Sequence, residues 1–242
     1  DSNNYPAEYG TGTGGQISVV TKSGGNLFHG SLFEYLRNDR LDARNFFDRT
    51  KNPLRLNQFG GSAGGPIVKN KVFFFGSYEG YRLRSGVNII EAVPSPAAKA
   101  QAVPAVAQII DAFRDPKAAI IPGGSADPNF DIAQLVARNT VNENAVGARL
   151  DFKLNASNSL YARFFRDQGF NIQPQSVSGR QLQIKTFPQN GVLALQSVMG
   201  VSMVNEAKFG YNGALTRGFG RAPVVNGIDT SAITINITGS AS

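Results

Sequence analysis

Residues Gly14–Asp39, GGQISVVTKSGGNLFHGSLFEYLRND, join a short strand to a longer one across a cluster of turn residues. Gly14 and Gly15 let the backbone turn without a Cβ penalty, Ile17 to Thr21 reads as a short β-branched strand, and Ser23-Gly24-Gly25-Asn26 reads as a turn. A longer strand is predicted from Leu27 to Arg37.

Outward from that junction the chain alternates with a period of two. Val146, Ala148, Leu150, Phe152 and Leu154 fall on one face of a strand, and Gly147, Arg149, Asp151 and Lys153 fall on the other. Asn155-Ala156-Ser157-Asn158 is a turn, after which Leu160, Ala162 and Phe164 oppose Tyr161, Arg163, Phe165 and Asp167, so the two runs form an antiparallel hairpin. Leu193, Leu195, Met199, Val201 and Met203 are predicted to share a face of a third strand. In a fourth, Ala207, Phe209 and Tyr211 oppose Glu206, Lys208 and Asn212. Between these strands, residues from about Val93 to Asn142 carry Pro94, Pro96, Pro104, Pro116, Pro122 and Pro128. They read as a long loop with helical turns, Ser95 and Pro96 capping an Ala-rich helix kinked or stopped at Pro104. A second loop spans about Gln168 to Gln189, and the tail holds one more strand candidate, Ala232 to Thr238. Alternation of this kind suits a soluble sheet with one wet face as well as a membrane barrel, and taken alone it favours the soluble sheet.

The opening residues separate the two. Gly14, Gly15, Ile17, Val19, Thr21, Lys22, Ser23, Gly24, Asn26, Phe28, His29, Gly30, Phe33, Glu34, Arg37 and Asn38 resemble the TonB-dependent outer-membrane receptor family, at the point where its plug domain ends and its barrel begins. Leu41-Asp42-Ala43-Arg44-Asn45-Phe46-Phe47, Asn57-Gln58-Phe59-Gly60-Gly61-Ser62, Gly64-Gly65-Pro66-Ile67 and Phe73-Phe74-Phe75 with Tyr78-Glu79-Gly80 are similar to the variety with a carboxypeptidase-regulatory-like N-terminal domain. Arg149-Leu150-Asp151, Leu160-Tyr161-Ala162-Arg163 and Asn205-Glu206-Ala207 extend the resemblance more loosely. It implies an all-β, antiparallel up-and-down transmembrane β-barrel fragment: an open, curved sheet with long loops containing short helical turns. Residues 1–26 would be the C-terminal end of the plug domain. Residues 27–242 would be the N-terminal part of the barrel, with a long extracellular loop at about 94–142. The barrels of large outer-membrane transporters have about 22 strands, and the sequence has neither an initiator Met nor a signal peptide, so an internal piece is expected. The implied function is uptake of a bulky ligand across the bacterial cell outer membrane. The implied partners are outer-membrane lipid, an unknown extracellular ligand, and an inner-membrane energy-coupling protein reached through an N-terminal segment missing from this sequence. The alternative is a soluble or surface-attached β-sandwich module that binds polysaccharide or protein.

Other chemistries fit the residues less well. Gly60-Gly61-Ser62-Ala63-Gly64 matches GxSxG, but the one histidine, His29, precedes Ser62, and Gly65-Pro66 follows where a helix should begin. Gly10-Thr11-Gly12-Thr13-Gly14-Gly15 contains GxGxxG but leads into a β-branched strand where a phosphate-binding helix is needed. His29 and Glu34 are five apart, hence on opposite faces of a strand, and with no cysteine a transition-metal site is not expected. Lys71-Val72-Phe73-Phe74-Phe75 with Tyr78 and Tyr81 resembles a base-stacking platform but lacks its glycines, and an interfacial aromatic girdle accounts for the same residues. The 24 Lys and Arg against 17 Asp and Glu admit anionic partners, but as dispersed surface charge they predict no nucleic acid. No enzyme is predicted, and no catalytic, cofactor-binding or metal-ligating residue is assigned. Ligand-contacting residues are unknown, because loops set them.

Overall fold

Ten strands pair into one antiparallel sheet in the computed structural model, which describes residues 20–46, 51–111, 114–225 and 227–232. In chain order these are β1 (His29–Asn38), β2 (Leu54–Val68), β3 (Val72–Pro94), helices α1 (Pro96–Gln101) and α2 (Pro104–Ile110), then β4 (Ala119–Ile121), β5 (Phe130–Lys153), β6 (Asn158–Pro174), β7 (Gln181–Thr186), β8 (Gln189–Met199), β9 (Met203–Gly213) and β10 (Thr216–Arg221). A two-stranded ribbon, β11 (Val224–Val225) with β12 (Ile228–Asp229), follows. The predicted Ile17–Thr21 strand, the Gly10–Gly15 turn and the Ala232–Thr238 strand fall almost wholly outside the described residues. Ala232 itself ends a 3-10 turn, Thr230–Ala232.

Apart from the short β4, which pairs with the outer end of β5 on the side away from β3, spatial order follows chain order, as an up-and-down sheet requires. β6 divides its far edge: Asn158–Arg166 pairs with β8 and Gly169–Pro174 pairs with β7. Between β7 and β8 lies Pro188, which has no N–H to donate, and beside it the Ala214–Leu215 break separates β9 from β10. Backbone bonds carry the ladder across both breaks, Asp167 N–H to Pro188 O at 2.9 Å and Phe187 N–H to Leu215 O at 2.8 Å. Counted this way, β7 with β8 and β9 with β10 are two long strands. Among the described residues, the far edges of β1 and of the β9–β10 strand have no strand partner, so the sheet is open. No second sheet packs face to face on it among those residues, as a sandwich would demand.

The predicted hairpin is β5–β6, with Leu150 opposite Ala162 and Phe152 opposite Leu160. Its turn is set by Asn155, whose Oδ1 accepts from the Ser157 and Asn158 N–H groups at 2.9 and 2.8 Å. Val201 does not belong to a strand: β8 ends at Met199, Gly200 takes φ +65°, and Met199 pairs directly with Met203. Gly200 needs that left-handed turn, and the turn removes Val201 from the shared face.

The loop predicted at about 94–142 is shorter than expected. β3 and β5 run 23 and 24 residues and stay paired from Val72–Phe152 to Pro94–Phe130, so residues 130–142 are strand. Their apolar residues, Ile132, Ala133, Leu135 and Val136, are shared between both faces, which erased the alternation. Val93, Ala118, Ala133, Leu135 and Val177 form a small buried core here, with Ile89, Ile120 and Ala137 against it. Glu91 accepts the Val177 N–H at 3.1 Å, and the Val177 carbonyl accepts from Asp115 N–H at 2.7 Å.

Buried Ser95 opens the remaining loop. Its Oγ accepts from Ala98 N–H at 3.3 Å and donates to Pro128 O at 2.8 Å, and Pro104 starts a second helix where the first stops. Ser95→Ala is expected to destabilise this loop locally by about 1 to 2 kcal/mol. The check is hydrogen exchange, with faster exchange at residues 98–110 and none of it spreading to β5 and β6.

Candidate functional site

The two faces of the sheet differ in chemistry and in coverage. Register places Leu150 beside Phe74 and Ala162, Ala162 beside Leu193, and Leu193 beside Phe209. The next rows are Val72, Phe152, Leu160, Leu195 and Ala207 on one side and Gly76, Ala148, Phe164, Gly191 and Tyr211 on the other. Five strands thus share one continuous apolar face, and it is left open: Leu150 is 39% exposed, Phe164 45% and Phe209 73%. Tyr78 and Phe59, ring centroids 6.2 Å apart, border this band on the long-loop side.

Opposite lies the charged face, and it is the better covered of the two. Arg149 donates from Nη2 to Asp151 Oδ1 at 2.7 Å and from Nε to both carboxylate oxygens at 3.0 Å, and its guanidinium lies 4.4 Å from the Tyr161 ring centroid. The Arg149 and Asp151 side chains are 17% and 20% exposed. Arg149 Nη1 also donates to Thr21 Oγ1 at 2.8 Å, which ties the segment preceding β1 to the charged face. Gly24 continues that contact: a Cβ there would collide with the carbonyl oxygens of Phe74 and Gly65, so only glycine lets the segment approach so closely. Phe73 is buried against it. Asn26 then bonds the turn residue Asn70, accepting from its N–H at 2.8 Å. Farther along, Glu79 and Asp167 flank Ala145 on the same face.

Arg149→Met should free residues 21–24 from the wall, because it removes a charged hydrogen bond of about 1.5 to 3 kcal/mol. Their exchange is expected to quicken roughly 10- to 100-fold. Thr21→Val, which removes the Oγ1 bond alone, should change it less in the same direction.

The motifs weighed from sequence sit in strands. Ser62 is within β2, its Oγ 3.0 Å from Ser31 Oγ, and no elbow is formed. His29 opens β1 with its ring 6.5 Å from that of Phe75, and its Nδ1 lies 3.2 Å from Leu27 O. Glu34 pairs with Phe59 on the apolar side, away from His29. The aromatic run divides: Phe74 and Tyr78 lie on the apolar face, whereas Phe73, Phe75 and Tyr81 fall on the face of Arg149, so three of the five aromatics of the expected girdle point inward. Among the described residues no group of three His, Cys, Asp or Glu is placed to hold a metal ion, and no helix is long and apolar enough to cross a membrane. The Thr21–Arg149 tether was not legible in the sequence, since 128 residues separate its ends.

The family model of the outer membrane beta barrel domain matches residues 20–241. The TonB-dependent transporter Oar of Myxococcus xanthus is 37% identical over 82 residues, which are 31% of this chain and 8% of that protein. The matched segment thus spans under a tenth of that relative's length. No solved structure matches.

Proposed function

We infer, since the chain belongs to the outer membrane beta barrel domain family, that it is a stretch of wall from a TonB-dependent transporter that takes up a bulky ligand. Its place is the bacterial outer membrane, with lipid as its surroundings. One observation carries the reading: the apolar face is exposed while the charged face is covered and bound by the segment that leads into β1. A soluble sheet arranges the two the other way, because water solvates charge and expels hydrocarbon. In a barrel the apolar face meets lipid and the charged one lines the lumen.

Residues 1–26 are then the end of a plug and 27–242 the first part of the barrel wall, in the receptor variety with a carboxypeptidase-regulatory-like domain. The short turns at Asn70, Ala156 and Gly200 would face the periplasm, and the Ser95–Asn129 loop would face outside. An inner-membrane energy-coupling protein would act through the plug, and no chemical step is assigned to the wall.

The test is uptake of fluorescent oligosaccharides and proteins by cells with and without the complete receptor, before and after collapse of the proton gradient. A transporter gives receptor-dependent internal signal that the uncoupler abolishes. Receptor-dependent signal that stays at the surface and ignores the uncoupler supports the binding module.

A further inference from the structure

At the tip of the long strands a cavity of about 310 Å³ lies between the end of β3, the two helices, β4 and the start of β5. Val93 and Asp131, opposite one another in register on the face of Arg149, both line it. Pro94, Ile110 and Ile120 add apolar wall.

Asp131 is only 9% exposed. Among the described residues the one hydrogen bond its carboxylate accepts comes from Gly123 N–H, at 3.2 Å, and no cation pairs with it. A carboxylate held that deep without a counter-charge is costly. Arg114 lines the same cavity and, among the described residues, has no carboxylate within salt-bridge distance either. The remaining charges cancel at the rim, where Lys99 Nζ meets Asp111 Oδ2 at 2.6 Å. The cavity is thus left with one uncommitted anion and one uncommitted cation, separated by open space.

We propose that this cavity binds a short hydrophobic peptide as its zwitterion. The terminal ammonium donates to Asp131, the carboxylate accepts from the Arg114 guanidinium, and the aliphatic side chains lie against Val93, Pro94, Ile110 and Ile120. Other ligand classes answer these residues less well. A metal ion needs more than one carboxylate, a phosphate is repelled by Asp131, and a neutral saccharide leaves both charges unanswered. The volume is at the low end for ligand cavities and suits about two residues. The inference stands on the loop's own residues and does not depend on transport.

The test is calorimetric titration of the complete receptor in neutral detergent with the dipeptide Leu-Leu, with its N-acetyl and C-amide forms, and with Gly-Gly. Leu-Leu should bind at least about tenfold tighter than each of the other three, the scale of one charge-assisted hydrogen bond or of the lost aliphatic contact. Asp131→Asn keeps an acceptor for Gly123 N–H but removes the charge, so it should erase the preference for the free amine alone. Arg114→Gln should erase the preference for the free carboxylate alone. Thermal unfolding of both variants is expected to match the parent. If Asp131→Asn lowers it, Arg114→Gln and the dipeptide series on the parent still decide. Equal binding of Leu-Leu and its N-acetyl form, or a carboxylate preference that survives Arg114→Gln, overturns the proposal. Uptake that fails while dipeptide binding persists rejects the transporter reading alone and leaves this site supported.

Discussion

Leu150→Arg in the complete receptor is expected to lower stability in lipid by about 2 to 4 kcal/mol, the cost of a guanidinium near the bilayer midplane. Leu150 stands in the row of Phe74, Ala162, Leu193 and Phe209, where no polar group on that face can receive the charge. Ala145→Arg introduces the same side chain into the same strand but on the other face, beside Glu79 and Asp167. It should change stability by less than about 1 kcal/mol, since paired charge in a wet lumen is tolerated. Folding titrations in lipid vesicles give both values. If Ala145→Arg were the costlier change, the faces would be reversed and the sheet would be a soluble one. Arg149→Leu is a poorer comparison, because it strands Asp151 and releases Thr21 as well as removing a charge.

The second large effect concerns the chain alone. Residues 1–242 without detergent should aggregate or fold only in part. The apolar face from Phe74 to Phe209 would meet water, and the edges of β1 and β9–β10, which have no strand partner among the described residues, would present backbone groups to other molecules. The buried core that remains, around Ala133 and Val177, is too small to hold the wall. Size-exclusion chromatography and thermal unfolding are the measurements. A monodisperse species with one cooperative transition would contradict the membrane reading and favour a self-sufficient module.

Much of this wall was legible in the sequence where one face is uniformly apolar. Val146 to Leu154 and Leu160 to Phe164 alternate cleanly because lipid on one side and lumen on the other impose opposite demands on neighbouring residues. The β3–β5 extension was not legible for the converse reason. Beyond the band its two faces have similar surroundings, so Ala133 and Leu135 can bury inward while Ile132 and Val136 stay outward, and the period disappears. The Phe73-Phe74-Phe75 run misled for a different reason. Composition suggested one belt, yet adjacent residues of a strand must point apart. The turn at Gly200 carried its own signal, a glycine followed by Val201 and Ser202, and the apolar count across it concealed that. Contacts between distant segments have no local trace: Thr21 and Arg149 become neighbours only once the registers are set.

The length of β3 and β5 sets a stand-off height. From Tyr78 at the membrane border to Pro94 at the strand tip is about 50 Å of paired backbone, or about 40 Å of elevation at the tilt usual for such walls. Two hydrogen-bonded strands, stiffened at the top by the Val93–Ala133–Val177 core, act as a mast rather than a tether. In the proposed orientation the Ser95–Asn129 segment is therefore carried well clear of the bilayer surface, within reach of objects too wide to approach the bilayer itself.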